Sequence, residues 1–265
     1  MFRVSCIQLK SNNNIQSNFI RTEKLIKKAI SQKADFILTP EVSSLFTLNK
    51  KLLLNQCTSM DKDEYLKGIK KLAKKHKKWI LIGSLVIKTG KNKLVNRSVL
   101  INSKGRIQSY YDKIHMYDVT LSKKESYLES RTFVAGKKHQ ISRLPWGKLG
   151  MSVCYDLRFP NLYRNLAKKG SLFLSIPSAF TQTTGKRHWH SLLKARAIEN
   201  FCYIFAPAQG GTHYNGRKTF GHSLIISPDG KIIKELGKKE GVITASIDPK
   251  TAKKLRLIIP SLKID

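Results

Sequence analysis

The chain has 265 residues, 41% of them hydrophobic, which is enough to bury a substantial globular core. No apolar run approaches the roughly 18 residues that a membrane-spanning helix requires, so we expect no membrane partner. The charge is strongly positive: 50 Lys and Arg stand against 17 Asp and Glu, a formal net charge of +33 at pH 7.

The first half of the chain alternates strands with helices. The predicted strands are residues 2–9, 35–38, 79–86, 94–101 and 106–111, and the predicted helices lie around residues 25–30 and 61–76. This order predicts a βαβ unit with an appended hairpin. Glu41 comes just after the strand at 35–38, at the edge where open α/β sheets place their ligands.

The second half begins with a polar stretch, residues 119–145, whose lack of periodicity predicts a long functional loop. The elements predicted after it are strands at 149–153, 172–176 and 203–208, helices at 160–169 and 187–200, and a closing meander of 220–226, 232–236 and 242–247. No repeat or linker interrupts the pattern. We therefore predict one α/β domain over residues 1–265, with a core of about 2–250 and a short tail, 251–265.

Cys154 stands where a predicted strand turns into a helix that Pro160 begins. A side chain at such an elbow is exposed and close to backbone N–H groups and the positive end of the helix dipole, which favours a thiolate. A buried, inert thiol is the alternative, because most free cysteines pack as small apolar residues. The position alone leaves both interpretations open.

Histidine and cysteine are the usual partners of a reactive thiol or a metal ion. Seven histidines are present, so a cysteine–histidine hydrolase stays open by count. His188 and His190 are two residues apart, which does not place them on one helix face, and no Cys/His quartet occurs. We therefore predict no metal and no other cofactor.

The positive charge suggests either a nucleic-acid-binding protein or a lysine-biased surface. The lysines follow the polar sides of predicted helices, opposite an apolar stripe, and no aromatic stacking motif accompanies them. The clearest example is the set Lys67, Lys70, Lys71, Lys74, Lys75, Lys77 and Lys78 opposite Tyr65, Ile69, Leu72 and Ala73. The pattern favours a solvated surface that would attract anionic substrates over a nucleic-acid partner.

The four cysteines are scattered and contain no C-x-x-C pair. Free thiols in a reducing cytoplasm are the expectation, with Cys6, Cys57 and Cys202 as buried thiols. The first nine residues alternate like a strand and lack the apolar block of a signal peptide. We therefore expect a cytoplasmic protein.

Three segments together resemble the nitrilase (carbon–nitrogen hydrolase) superfamily, and the resemblance extends over nearly the whole chain. They are Thr39–Glu41, Asp112–His115 and Val153–Pro160. Further segments resemble the deaminated-glutathione amidase branch, namely Pro177–Phe180, Thr184–Gly185 with His188–Trp189, Ala195–Asn200, and Ala208–Gly210 with Gly221–Ser223. The resemblance implies an α-β-β-α sandwich with two central mixed sheets flanked by helices.

The resemblance also implies a Glu–Lys–Cys triad. Glu41 would be the general base, Cys154 the nucleophile that forms a thioester, and Lys113 the cation that stabilises the oxyanion together with the backbone N–H of Tyr155. Glu129 matches a second glutamate that positions the substrate, although Glu125 lies nearby in sequence.

Other residues near these motifs are assigned structural roles. Asp156 and Arg158 are predicted to pair at the elbow, and Arg196 and Glu199, three apart on a helix, to form an ion pair. Trp189 and His190 stand near the start of that helix and are candidates for lining the substrate pocket. Both are candidate substrate-binding residues.

Two features depart from the family pattern. Asn161 stands where many relatives have glutamate, and the chain ends at Asp265, before the basic tail common in that branch. A homodimer or larger homo-oligomer is still the expectation, because the family usually assembles in this way.

The sequence therefore predicts a cysteine-dependent amidase that hydrolyses a small linear carboxamide, with a deaminated-glutathione-like anionic substrate. The alternatives are an ω-amidase acting on α-keto acid amides, an N-carbamoyl amine hydrolase and, outside enzymes, a basic nucleic-acid-binding protein on the same scaffold.

Overall fold

The computed structural model describes residues 1–123 and 125–264, and its main strands form two six-stranded mixed sheets. The first sheet has the strand order β16-β1-β2-β3-β4-β5. Its strands are β1 (Phe2–Gln8), β2 (Phe36–Leu38), β3 (Trp79–Gly90), β4 (Lys93–Ile101), β5 (Ile107–Asp112) and β16 (Gly241–Ile247). The pairs β1–β2 and β2–β3 are parallel and the outer pairs are antiparallel.

The second sheet has the order β15-β14-β11-β10-β9-β8 and the same arrangement of pairings, with β9, β10 and β11 parallel at its centre. Its strands are β8 (Gln140–Leu144), β9 (Gly147–Met151), β10 (Ser171–Ser175), β11 (Tyr203–Ala206), β14 (Leu224–Ile226) and β15 (Ile232–Glu235). The two sheets therefore each present a central set of parallel strands.

The two sheets pack face to face through one hydrophobic core. Because side chains alternate across a strand, Phe36 and Leu38 of β2 point to this core while Ile37 points to the other face. Phe36 meets Phe205 of the second sheet edge-on, with the ring centroids 6.2 Å apart. Phe2 packs against Phe173 in the same way, at 5.3 Å.

Helices cover the outer faces of both sheets. The helices are α1 (Ile15–Ser31), α2 (Lys50–Gln56), α3 (Glu64–His76), α4 (Pro160–Lys168), α5 (Gln182–Asn200), α6 (Pro249–Ile258) and α7 (Ser261–Ile264). Helices α1 and α3 bury their apolar stripes against the first sheet, and α4 and α5 pack against the second. The result is the predicted α-β-β-α sandwich.

The stretch at 119–145 was expected to be a loop, and that prediction is wrong in part. Strands β6 (Asp118–Ser122) and β7 (Glu125–Leu128) form an antiparallel hairpin, and Gln140–Leu144 is the edge strand of the second sheet. The strands are short: β6 alternates only two apolar residues, Val119 and Leu121, with polar ones, and β7 has no apolar alternation. A second hairpin, β12 (Gly210–Thr212) with β13 (Lys218–Phe220), was also missed.

The predicted closing meander is wrong at its last strand. β14 pairs with β15, but β16 crosses to the first sheet and pairs with β1, with Val4 opposite Ala245. Helix α5 begins at Gln182, five residues before the predicted start, because the Thr181 side chain caps it by accepting from the Thr184 N–H. Trp189 and His190 therefore lie inside this helix.

In the part of the chain that the structure describes, no helix combines the length and the apolar character needed to cross a membrane.

Candidate active site

A cavity of about 280 Å³ opens where loops from both sheets meet. Glu41, Asn96, Lys113, Glu129 and Cys154 contribute polar side chains to its wall. The wall also contains an apolar set and a set of aromatic, hydroxyl and cationic side chains. The apolar set is Val42, Phe46, Leu53, Val86 and Phe133, and the second set is Tyr117, Tyr127, Thr181, Thr184 and Arg217. The structure thus brings together the four residues predicted to do chemistry, from four separate segments.

Glu41 lies in a tightly held turn directly after β2. Its neighbour Val42 has a positive φ of 47°, and the Val42 N–H donates to Ser84 Oγ at 2.8 Å. Gly83 on the adjacent strand passes so close that a Cβ there would stand 2.0 Å from the Thr39 carbonyl oxygen. Only glycine allows this approach, and the close contact fixes where the Glu41 side chain enters the cavity.

Lys113 occupies the centre of a buried ion cluster. Its Nζ lies 3.0 Å from Glu41 Oε1 and 3.0 and 2.8 Å from the two Glu129 oxygens. Asn96 Nδ2 donates to Glu41 Oε1 at 2.9 Å and to Glu129 Oε1 at 3.3 Å. Each carboxylate also accepts a backbone N–H, from Ala179 at 2.9 Å for Glu41 and from Tyr117 at 2.7 Å for Glu129.

The cluster holds its members in their charged forms. Burial alone would lower the pKa of Lys113, but the Glu129 and Glu41 carboxylates outweigh it and raise that pKa well above its usual value. Burial alone would raise the pKa of Glu41, but the Lys113 ammonium beside it, with the hydrogen bonds it accepts, lowers that pKa overall. An ammonium and an ionised carboxylate therefore face the cavity at neutral pH.

Cys154 stands at the elbow after β9 with a positive φ of 50°, a conformation that is strained for a side-chain-bearing residue. Its N–H donates to the Pro177 carbonyl at 2.9 Å, which ties the elbow to the end of β10. A short 3-10 helix, Cys154–Arg158, separates it from α4, so the N-terminus of α4 does not begin at the cysteine. The elbow is confirmed, and α4 begins at Pro160 as predicted.

The position in the sequence leaves both a thiolate and a buried thiol open, and the structure places the Cys154 side chain in a buried position. Burial raises the pKa of the Cys154 thiol well above its usual value, and the negative charge of the nearby Glu41 carboxylate raises it further. The thiol is therefore protonated at neutral pH and lies beside an ionised carboxylate. Such a pair becomes nucleophilic when the proton moves to Glu41.

Asp156 joins the elbow to the segment that carries Lys113. It accepts hydrogen bonds from the Val153 N–H at 2.8 Å, the Tyr111 hydroxyl at 2.8 Å and the His115 N–H at 3.1 Å. Tyr111 and His115 flank Lys113 in sequence, so this buried carboxylate sets the position of the lysine relative to the cysteine. The predicted pairing of Asp156 with Arg158 is thus wrong.

Arg158 instead contacts His188 and the rings of Tyr155 and Phe180. The predicted ion pair between Arg196 and Glu199 is confirmed, at 2.9 Å. Cys6, Cys57 and Cys202 are buried free thiols, as expected.

Neither Trp189 nor His190 is part of the cavity wall, so the suggestion that they line the substrate pocket is not supported. Trp189 is fully buried behind Phe180, and its indole N–H donates to the His222 carbonyl at 2.8 Å. His190 Nε2 lies 3.0 Å from Glu235, which also pairs with His222. Because α5 starts at Gln182, Thr184 in its first turn lines the cavity in place of the later pair.

The two glutamates of the β6–β7 hairpin segment have different partners in the structure. Glu129 joins the ion cluster, whereas Glu125 bonds to the Tyr127 hydroxyl at 3.1 Å and to Thr183 Oγ1 at 3.2 Å. Tyr155 lines the cavity beside Cys154, as the proposed oxyanion site requires.

Asn96 and Arg217 are two cavity residues that the sequence did not reveal. Asn96 is a buried polar residue in β4, but Arg97 and Ser98 follow it directly, so the sequence does not single it out. Arg217 lies in the turn between β12 and β13, among many other basic residues, and nothing in the sequence distinguishes it.

The fold and the site agree with comparisons to known proteins. Residues 3–257 match the family described as carbon-nitrogen hydrolase. A protein of Synechocystis named deaminated glutathione amidase is 38% identical over 266 residues, which cover 99% of this chain and 97% of that one. A protein of the same name from Dictyostelium discoideum is 37% identical over 88% of this chain and 83% of its own length.

Solved structures show the same architecture. The C. elegans NitFhit protein superimposes with a TM-score of 0.93 at 34% identity over the whole of this chain, which spans 65% of that chain. Saccharomyces cerevisiae Nit3, described as a member of branch 10 of the nitrilase superfamily, gives a TM-score of 0.88 at 26% identity, covering 98% of this chain and 94% of its own.

The chain therefore belongs to the carbon–nitrogen hydrolase family and has the nitrilase-superfamily fold. Within that family, it is a hydrolase that acts on amides.

Proposed function

We propose that Glu41, Lys113 and Cys154 are the catalytic residues of this amidase and that Glu129 assists them. The observation that supports this most directly is the contact of Lys113 Nζ with Glu41 and Glu129 in a cavity that Cys154 also lines. A nucleophile, its base and a cation thus lie in one buried cluster with an opening for a small substrate.

In the first half-reaction, Glu41 takes the proton of the Cys154 thiol as the sulfur attacks the amide carbon. The carbonyl oxygen becomes an oxyanion, which the Lys113 ammonium and the Tyr155 N–H stabilise. The C–N bond then breaks, and the departing nitrogen takes the proton from Glu41. A thioester of Cys154 and a free amine or ammonia result.

In the second half-reaction, water attacks the thioester while Glu41 accepts one of its protons. The C–S bond breaks, the carboxylic acid leaves, and the proton returns to the sulfur. Glu129 holds Lys113 in place through both steps, because it contacts the ammonium with both oxygens. The net reaction consumes one water and yields one acid and one amine.

The proposed substrate is deaminated glutathione or a closely similar anionic amide. The names of the relatives and the strongly positive chain support this choice, because the substrate carries carboxylates that a positive field attracts. The small cavity favours a linear amide over a folded polypeptide.

The test is a kinetic assay of purified protein with deaminated glutathione, following release of the acid and of cysteinylglycine. We expect turnover in the wild type, none in Cys154→Ala, and turnover close to wild type in Cys57→Ala, whose buried thiol does not itself line the cavity. If α-ketoglutaramate reacts faster by orders of magnitude, the substrate proposal fails and an ω-amidase replaces it. Turnover by Cys154→Ala would contradict the mechanism.

We also propose that residues 1–265 form one hydrolase domain that works in the cytoplasm as a homodimer or larger homo-oligomer. Four free cysteines support a reducing compartment. Leu257, Ile258 and Ile259 at the end of α6 are at least 50% exposed, which supports an interface there. Light scattering after gel filtration tests the assembly, and a monomeric mass would contradict it.

A further inference from the structure

The cavity contains a second cation, and its surroundings differ from those of Lys113. Arg217 projects from the β12–β13 turn into the cavity wall. Among the residues that the structure describes, no carboxylate lies within ion-pair distance of it. Its Nη2 donates to the Ala179 carbonyl at 3.2 Å, and its buried Nε has no hydrogen-bond partner.

Two aromatic rings hold the guanidinium. Its central carbon lies 5.1 Å from the centre of the Phe46 ring and 5.0 Å from that of Tyr127. Both distances are within the range of cation–π contacts, which orient the planar group without using its N–H donors. The arginine is therefore held in place while most of its five donors remain available.

The turn that carries Arg217 is itself anchored. The ring of His213 is buried, stacks on Phe46 at 3.8 Å, and bonds to the Ser11 carbonyl and to Thr219 Oγ1. The His213 N–H donates to the Arg217 carbonyl at 2.8 Å. Because a buried ring and backbone bonds fix the turn, the guanidinium is presented by a firm support.

Ala179 links this arginine to the reaction centre. The Ala179 carbonyl accepts from Arg217, and the N–H of the same residue donates to Glu41 Oε2. Since Ala179 contacts both side chains, a group bound at Arg217 would lie near the Glu41 carboxylate, which we propose as the base. An arginine with unused donors, in a partly apolar pocket, gains most from a bidentate carboxylate.

We propose that Arg217 forms a carboxylate-binding subsite, which makes the enzyme select amides that carry a carboxylate at a short distance from the scissile bond. This inference rests on the proposed function, since it takes Cys154 as the point of attack. The carboxylate belongs either to the acyl group or to the amine that leaves, and the same guanidinium chemistry recognises both.

The test compares amides that differ only in this charge. Glutaramate and valeramide differ by a carboxylate in place of a methyl group on the acyl side, and N-butyrylglycine and N-ethylbutyramide differ in the same way on the amine side. The measured quantity is kcat/KM on the carboxylate-bearing amide divided by kcat/KM on its neutral counterpart, taken within each pair. The variants are Arg217→Met, Arg217→Lys and the matched control Lys218→Met, which removes an exposed charge from the same hairpin.

We expect Arg217→Met to lower the ratio about 10- to 100-fold in one pair, the loss typical of a charge-assisted hydrogen bond. Arg217→Lys should recover part of it, because the charge stays and the planar fork is lost. Lys218→Met should leave both ratios within about twofold. The pair that responds identifies which side of the substrate carries the carboxylate.

An equal loss on charged and neutral amides, with both ratios unchanged, would overturn the proposal and leave Arg217 a structural residue. Thermal unfolding of each variant checks that the fold persists. Glutarate binding by calorimetry gives a second readout, and equal affinity in wild type and Arg217→Met would also overturn the subsite.

The outcomes separate the two proposals. If the wild type does not hydrolyse deaminated glutathione but its kcat/KM ratio depends on Arg217, the subsite proposal stands and the substrate proposal is wrong. If the wild type hydrolyses deaminated glutathione but neither kcat/KM ratio changes in the Arg217 variants, the substrate proposal stands and the subsite proposal is wrong.

Discussion

Lys113 and Arg217 are two cations in the wall of one cavity, but their partners are different. Three carboxylate oxygens lie within 3.0 Å of the Lys113 ammonium, which is 2% exposed. Arg217 contacts one backbone carbonyl and two aromatic rings. The charge of the lysine is neutralised inside the protein, whereas that of the arginine is not.

This difference assigns the two cations to different tasks. Glu41, Glu129 and Lys113 together carry one negative charge, which by itself would repel an anionic substrate. Arg217 offsets that charge at the cavity without disturbing the hydrogen bonds around Lys113. A cation locked between carboxylates can stabilise charge that develops during reaction, and a cation with unused donors can bind charge that the substrate already has.

The variant with the largest expected effect is Lys113→Met, which removes the cation between the two carboxylates. We expect kcat/KM to fall by about 10³-fold or more on both glutaramate and valeramide, because an oxyanion donor is lost and two carboxylates are left without their shared cation. Steady-state kinetics on the two amides measure this. A loss confined to the carboxylate-bearing amide would show that Lys113 binds the substrate's charge and would reverse the assignment.

The second test separates the two glutamates of the hairpin region. Glu129→Gln should lower kcat by about 10²-fold, since both of its oxygens contact the Lys113 ammonium. Glu125→Gln is the matched control and should change kcat by less than about threefold, because its partners are two hydroxyl groups. Equal effects in the two variants would remove Glu129 from the proposed machinery.

The α/β fold class could be predicted from the sequence because it depends on local patterns of strands and helices. The strand-to-helix turn around Cys154 and the strand end before Glu41 could be located from apolar runs alone. Their functional meaning came from combining three short segments, since Lys113 is one of many lysines and no local feature distinguishes it.

The features that could not be predicted depend on distant contacts. Strand β16 joins the first sheet because β1 offers an open antiparallel edge, which a meander pattern does not reveal. Asp156 was assigned to a neighbour two residues away, but its partners come from the segment around Lys113. Arg217 acquires its role from Phe46 and Tyr127, which are far away in sequence.

The smallest expected effect is that of the Arg217 charge on the pKa of Glu41, the carboxylate that also contacts Lys113. The Arg217 charge contributes to lowering the pKa of Glu41, after burial raises it and after the larger influence of Lys113. Glu41 must be ionised to accept the thiol proton, so kcat/KM is lost as the pH falls through its pKa in the free enzyme. Removing Arg217 raises that pKa, and activity should then be lost at a higher pH.

The measurement is the pH profile of kcat/KM on valeramide, a neutral substrate for which the carboxylate subsite makes no contact. We expect the acidic limb of Arg217→Met to move upward by less than about one pH unit, the size of a modest through-space interaction. Lys218→Met should leave the limb in place, because its exposed charge is screened by solvent. A downward shift, or the same shift in both variants, would show that Arg217 does not act on Glu41, and the two cations would then work independently.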